Sequence, residues 1–373
     1  MSYIPARADT SIVGRWWWTV DRWMLGALLL LVAYGAVMTF AASPPAAIRI
    51  KLDSFHFVRQ QMTIIPLALG IMVMVSLLSA RGIRRLAFFM LIGAIALTAF
   101  TLFSAPEIKG AKRWINLAGF SLQPSEFLKP SFAVFAAWMC ATARLEDRFP
   151  GRLIATLTAI VIIGVLAMQP DVGMAAVVFA IWFSQMFMAG LPLFWIALGL
   201  IGVGAALFVA YQMLPHVTQR INLFLDPSTG DTYQVDKSID AFINGGLFGT
   251  GPGEGSVKNL LPDSHSDFVF AVVGEEFGAV ICLLIVATYA FVVLRGFGRV
   301  IEESNLFVLF STTALLVAFG LQALINMASA LHLMPTKGMT LPFISYGGSS
   351  MIALAIGMGM VLALTRRRAG ASS

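Results

Sequence analysis

Residues 86–103 read LAFFMLIGAIALTAFTLF, an uncharged run with Arg81, Arg84 and Arg85 just ahead of it. A run near 20 apolar residues is what a helix needs to cross a hydrocarbon layer about 30 Å thick. The same pattern recurs along the chain. Spans are expected at Trp23–Ala42, Phe57–Leu78, Leu86–Phe103, Phe127–Thr142, Leu153–Met168, Val172–Ala189, Leu193–Leu214, Phe268–Val293, Leu306–Ala330 and Met339–Leu364. Gln169-Pro170-Asp171 is the turn signal that separates the fifth from the sixth. The expected fold is all-α, a polytopic helical bundle of about ten transmembrane helices.

Composition agrees with that reading. Of the 373 residues 58% are hydrophobic and 12% charged, against roughly 25% charged in a soluble domain. So little charge does not cover a water-facing surface, and one bundle is expected rather than two or three globular domains. The first run follows basic residues and ends in Phe40-Ala41-Ala42-Ser43, as a signal peptide does. It is longer than such a core and many equal runs follow, so it is read as a retained span. The net charge of +6 is scattered over loops, which argues for topology and against a nucleic-acid partner. Cys140 and Cys282 lie in apolar runs with no metal or disulfide spacing.

Ten spans put both termini on one side. With the N-terminus cytoplasmic, 14 of the 25 Lys and Arg fall inside, all of them Arg flanking spans and ending in Arg366-Arg367-Arg368. Residues 1–22 are then a cytoplasmic N-terminal segment, 23–365 the transmembrane domain and 366–373 a cytoplasmic tail. Two outer segments, Ser104–Ser125 and about Pro215–Asp267, are too long and polar for simple turns. The second reads as a large extracytoplasmic loop folded over the mouth of the bundle.

Charges close to a membrane are costly and are functional candidates. Asp267 stands directly before the eighth span, with Glu275 and Glu276 farther along it. Two readings of Asp267 stay open: a helix cap, or a general base whose half-greasy setting suits proton transfer near neutral pH. Glu126 and Lys129 are an i, i+3 pair opening the fourth span, either a structural ion pair or a strut for the loop before it. In that loop, Lys109, Lys112 and Arg113 beside Trp114 suit phosphate at headgroup level or ordinary interfacial anchoring. Arg220, Lys237, Lys258 and Lys337 are further outer cations, and several converging would suit a pyrophosphate. The glycines from Gly245 to Gly255 permit close backbone approach to a ligand. Pro342 and Gly347-Gly348 would disturb the start of the last span, which is tolerated where a helix lines a cavity. Asn326 is a polar group inside the ninth span. His56, His216, His265 and His332 have no metal spacing, and no hydrolase triad or phosphate loop is present in the sequence.

Four segments taken together resemble the SEDS proteins (shape, elongation, division and sporulation), polytopic glycosyltransferases that polymerise peptidoglycan. They are Gly110-Ala111-Lys112-Arg113-Trp114-Ile115; Gln123-Pro124-Ser125-Glu126-Phe127 with Lys129; Leu261 to Ala271 with Gly274-Glu275-Glu276; and Pro335 to Ser350. The likeness runs from about Arg22 to Arg368. The glycine run ending at Lys258 and Pro335-Thr336-Lys337-Gly338 look closer to the division-type branch, FtsW, than to the elongation-type RodA. Asp263 and Ser266 depart from the family's usual Glu and Thr but keep the chemistry.

The resemblance implies a lipid II polymerase acting in septal cell-wall synthesis. Its essential carboxylate maps onto Asp267. That group would take the proton from the 4-hydroxyl of the acceptor N-acetylglucosamine, and undecaprenyl pyrophosphate would leave. Lys112, Arg113, Trp114, Glu126, Lys129 and Arg220 are expected to bind substrate, as are Lys258, His265, Lys337, Ser345 and Tyr346. Expected partners are lipid II, the undecaprenyl-linked glycan strand, a class B penicillin-binding protein transpeptidase, other divisome proteins and membrane lipid, in a bacterial inner membrane. No cofactor is certain, no metal ligands are named, and a divalent cation stays open. Two alternatives are a lipid II flippase, which needs polar groups through the whole bilayer depth, and a non-catalytic divisome scaffold, which needs no converging carboxylate and cations.

Overall fold

The computed structural model describes residues 11–107, 112–117, 120–213, 215–226, 232–335 and 338–366. Each expected apolar run falls on a helix: α2 (Arg22–Arg49), α3 (His56–Ser76), α4 (Ala80–Ser104), α5 (Leu128–Leu145), α6 (Gly151–Met168), α7 (Val172–Met188), α8 (Leu193–Met213), α11 (Val269–Val300), α12 (Leu306–Ala330) and α13 (Gly348–Leu364). A short α1 (Ile12–Thr19) precedes them, and α9 (Pro215–Leu225) and α10 (Tyr233–Gly245) lie between α8 and α11. Polar side chains start several helices by accepting otherwise orphaned amides. Asp21 caps α2 through Trp23 and Met24, Asp171 caps α7 through Met174, and Asn305 caps α12 through Phe307 and Val308.

Among the described residues, six helices are long and apolar enough to cross a membrane: α2, α3, α4, α6, α11 and α12. The protein is a multi-pass membrane protein. The pattern of burial follows from that solvent. α5, α12 and α13 form the centre, α5 packing on α4, α6, α7 and α12, and α13 on α3. The outer faces carry large bare side chains such as Phe89, Phe103 and Leu294, which lipid tails cover at no hydrophobic cost.

The loop at 104–125 holds a two-stranded antiparallel hairpin, β1 (Ile115–Leu117) and β2 (Phe120–Leu122), with Ile115 opposite Leu122. A 3-10 turn, Pro124–Phe127, then leads into α5. Between α10 and α11 the chain passes through the glycine run and a second 3-10 turn, Val257–Asn259.

Two helices differ from expectation. The last begins at Gly348, not Met339, because the chain from 338 to 347 is irregular and Phe343 has φ of 64°. The eighth, α11, is broken at Gly278, where φ is 78° and ψ 178°. The glycine run supplies the bonds the break removes. Ala279 and Val280 donate to the carbonyls of Gly246 and Leu247 (3.0 and 3.2 Å). Thr250 and Gly251 donate to those of Glu275 and Glu276 (2.9 and 3.1 Å). A Cβ on Gly249 would stand 2.2 Å from the Glu276 carbonyl. The close approach that these glycines permit is therefore to another stretch of backbone.

Candidate functional site

Asp267 sits in a tight turn ahead of α11. Asp263 opens it with φ of 52°, and the amides of Ser266, Asp267 and Phe268 all donate to the Asp263 carbonyl (3.1, 3.1 and 3.3 Å). The residue at the cap position of α11 is Phe268, which makes no side-chain cap bond. Asp267 thus stands one residue ahead of the cap position. Its Oδ2 lies beside Gly338, where an added Cβ would approach it to 3.4 Å.

Asp267 lines a cleft of about 800 Å³, within the size range of ligand pockets. α3 contributes His56, Phe57 and Gln60; the hairpin region Arg113, Trp114 and Ser121; and the 3-10 turn before α5 contributes Glu126. Asp263, His265, Ser266 and Asp267 form another wall, and Gly338, Met339, Thr340 and Tyr346 to Ser350 close the circuit. The His265 ring stacks on Phe57 with centroids 4.4 Å apart and planes 17° apart, and Tyr346 meets both rings. The Tyr346 hydroxyl bonds the Gln60 amide oxygen. The lining thus combines an aromatic cluster with polar and charged groups.

Arg113 is held from behind. Its Nε donates to the Gln169 carbonyl (3.0 Å) and its Nη2 to that of Pro170 (2.7 Å), with Nη1 3.4 Å from Asp171. The turn that separates α6 from α7 therefore anchors the one cation named from the sequence that lines this cleft among the described residues. Lys112 is half-buried and its carbonyl accepts from Gln169.

Glu126 and Lys129 form the ion pair read from their spacing, at 2.7 Å, and both are buried. The Lys129 ammonium also donates to Gln322 of α12 at 2.5 Å. Gln322 in turn donates to Thr340 (3.0 Å to its carbonyl), and Thr340 shares a bond with Ser350 at 2.7 Å. This polar chain runs from α5 through α12 into the segment beside Asp267. Lys129 does not line the cleft, so its charge is spent on Glu126 and Gln322.

Four further expected residues need correction or sit elsewhere. Lys258 is 6% exposed and ion-paired with Glu276, away from the cleft. Glu275 accepts from the amides of Val257 and Lys258 (2.7 and 2.8 Å) and from Asn244 (2.9 Å), so both glutamates lock the 257–259 turn onto α11. Ser345 is buried behind the cleft wall, bonding backbone rather than facing the opening. Lys337 and the side chain of Arg220 lie outside the described residues. Gln60, Gln322 and Thr340 were not singled out from the sequence. Their signal was a polar group at a span's end or middle, as for Asn326. His56, Asp263, His265 and Asp267 share the cleft, yet among the described residues no three His, Cys, Asp or Glu gather as a metal set.

The pattern of the FtsW, RodA and SpoVE group, described as cell cycle protein, matches residues 21–370. A probable peptidoglycan glycosyltransferase FtsW of Caulobacter vibrioides is 45% identical, over 98% of this chain and 94% of that protein. Its counterpart in Aliivibrio salmonicida is 34% identical over 92% of this chain and 88% of its own length. Among solved structures, a chain from a peptidoglycan synthase complex that coordinates polymerization and crosslinking superposes with a TM-score of 0.77. It is 26% identical and the match covers 93% of this chain and 97% of that one. The rod shape determining protein RodA of Thermus thermophilus superposes at 0.69, also 26% identical, over 94% and 97%. With the fold, the match along nearly the whole chain and these relatives in agreement, the protein belongs to the FtsW, RodA and SpoVE family of cell cycle proteins.

Proposed function

We propose that this protein is a peptidoglycan glycosyltransferase that polymerises lipid II into glycan strands during septal wall synthesis. The observation that carries the reading is Asp267 in the wall of a cleft lined by both polar and aromatic side chains. Asp267 takes the proton of the acceptor sugar's 4-hydroxyl. That oxygen forms the new bond to the anomeric carbon of the lipid-linked donor. The bond from this carbon to the pyrophosphate oxygen breaks, and undecaprenyl pyrophosphate leaves with the electron pair. A positioned base supplies about 10²–10⁴-fold, and a good leaving group asks for electrostatic help rather than a second acid.

Arg113, with Trp114, Glu126, His265 and Tyr346, stands where substrate would lie. Lys129 and Lys258 are buried against glutamates and do not line the cleft, whereas Arg113 lines it while also meeting Asp171, so pyrophosphate charge falls first to Arg113. Lys112, Arg220 and Lys337 remain proposals from the sequence. The topology proposed is ten spans with residues 1–22 and 366–373 cytoplasmic, in the bacterial inner membrane. The 215–267 segment then covers an extracytoplasmic active site. A class B penicillin-binding protein transpeptidase is the proposed partner, supported by the neighbour that comes from a synthase complex. Translocation of lipid II is less well supported. Below Gln322, α12 buries Phe319, Leu316 and Leu315 before its next buried polar groups, Thr312 and Ser311, so apolar side chains interrupt the polar groups along it.

The test is polymerisation of lipid II by the purified full chain with its transpeptidase partner. Asp267→Asn keeps the shape of the side chain and removes the base. Activity is expected to fall by roughly 10²–10⁴, and wild-type rates in that variant would end the proposed role.

A further inference from the structure

The turn that carries Asp267 is gripped through its backbone at three consecutive carbonyls. The His265 carbonyl accepts from the Tyr346 amide at 2.9 Å. The Ser266 carbonyl accepts from the Ser345 hydroxyl at 2.5 Å, and the Asp267 carbonyl from the Asn326 amide at 3.0 Å. Two of these donors are side chains, and each has a second bond to the irregular segment before α13. Asn326 also donates to the Met339 carbonyl at 2.6 Å. Ser345 also accepts from the Leu341 amide at 2.8 Å.

Both acceptors of Asn326 are carbonyls, so only its NH₂ can serve them, and both hydrogens are used. Its Oδ1 is buried with no bond described for it, a cost that an apolar residue would not carry. Asn326 and Ser345 are 2% and 4% exposed, and neither carries a proton that titrates in the working range. They are suited to geometry and not to proton chemistry.

We infer that Asn326 and Ser345 are positioning residues for Asp267, pinning its turn between α12 and the 338–347 segment so that the carboxylate meets the acceptor hydroxyl at a fixed distance. This rests on the reading of Asp267 as the base. A general base works only within hydrogen-bond reach, about 2.6–3.2 Å. A misplacement of about 1 Å is enough to cost roughly 100-fold in rate.

The experiment compares Asn326→Ala, Ser345→Ala, Ser345→Thr and Asp267→Asn in steady-state lipid II polymerisation by the full chain with its transpeptidase partner. Hydrogen–deuterium exchange of the peptide covering 263–268 is followed in parallel. Asn326→Ala is expected to lower kcat roughly 100-fold and Ser345→Ala roughly tenfold, with KM within about twofold. Both should speed exchange in that peptide, and Ser345→Thr, which keeps the hydroxyl, should restore rate and protection. If Asn326→Ala does not fold, Ser345→Ala against Ser345→Thr makes the same comparison. Raised KM at unchanged kcat would overturn the inference by making these residues substrate ligands. So would unchanged kcat and exchange while Asp267→Asn is dead. An active Asp267→Asn beside faster exchange in the alanine variants would instead fail the base reading and take the inference with it.

Discussion

Asp267 and Glu276 are nine residues apart at the same end of α11, and both were noticed as charges at a membrane edge. Glu276 is 1% exposed, paired with Lys258, and sits where the glycine run crosses the break in the helix. Asp267 lines a cleft of about 800 Å³, on a turn whose own carbonyls are held by Tyr346, Ser345 and Asn326. For Glu276 the surrounding structure closes over the carboxylate. For Asp267 it grips the backbone of the turn at the cleft wall. Charge near a membrane does not by itself mark chemistry; one of these carboxylates is sealed inside a helix joint, and the other stands in a residue that lines a cleft.

The sharpest way to break this contrast is to neutralise each acid in turn. Asp267→Asn should lose roughly 10²–10⁴ in polymerisation rate while its thermal unfolding in detergent stays near wild type. Glu276→Gln should do the reverse in kind. It strands the Lys258 ammonium in a buried site, and breaking such a pair from one side costs about 3–5 kcal/mol. Glu276→Leu with Lys258→Met removes both charges and should recover most of that loss, since an apolar replacement of a buried pair is often near neutral. A double variant no more stable than either single one would mean that the pair is not the unit that matters. Thermal unfolding of the purified protein reads all three.

Next in size is the joint between the two halves of α11. Gly278→Ala would force a side chain into a positive-φ conformation, a penalty of about 1–3 kcal/mol. Its Cβ would also stand 2.4 Å from the Gly249 amide nitrogen. That neighbour is backbone and has no rotamer by which to retreat. The expected result is a lower unfolding temperature and weaker protection of the 246–251 amides. An unchanged protein would mean that the glycine run does not depend on the break.

These particulars explain what the sequence could and could not disclose. Apolar runs announce helices because each must be long enough for the bilayer and greasy enough for its tails, and each expected run does fall on a helix. Asp267 was legible as a candidate through its place at a span's edge and through the resemblance of its neighbours to one family. The break at Gly278 was not. A glycine inside an apolar run reads as a tolerated helical residue, and the strand of chain that bonds across it lies thirty residues upstream. Lys258 was misread for the same reason: its partner is eighteen residues away and no local spacing joins them. The late start of α13 was half legible. Pro342 and Gly347-Gly348 marked a disturbed helix, but nothing local showed that Asn326 and Gln322, from another helix, hold that segment.

The smallest effect concerns a third carboxylate, Asp21, which is buried like Glu276 but pairs with two partly exposed arginines and does not line the Asp267 cleft. It caps α2 through Trp23 and Met24 and takes hydrogen bonds from Arg295 (2.9 Å) and Arg299 (2.6 Å). Burial pushes its pKa up, but the hydrogen bonds from Arg295, the Met24 amide and Arg299 outweigh that. The folded value is held below the ordinary 3.8. A depressed carboxylate stabilises the fold fully above its unfolded pKa and loses that contribution as pH falls through the folded value. The unfolding temperature should therefore drop as pH is taken below 3.8. Other carboxylates titrate in the same window, so the difference from Asp21→Asn is the quantity to measure. The two arginines are partly exposed, which screens the interaction and keeps the effect modest. The variant should be less stable than wild type at neutral pH, and the gap should close in acid. A gap that stays constant with pH would mean that the ionised carboxylate of Asp21 contributes no charge-dependent stability, and the two arginines would then be neighbours rather than partners.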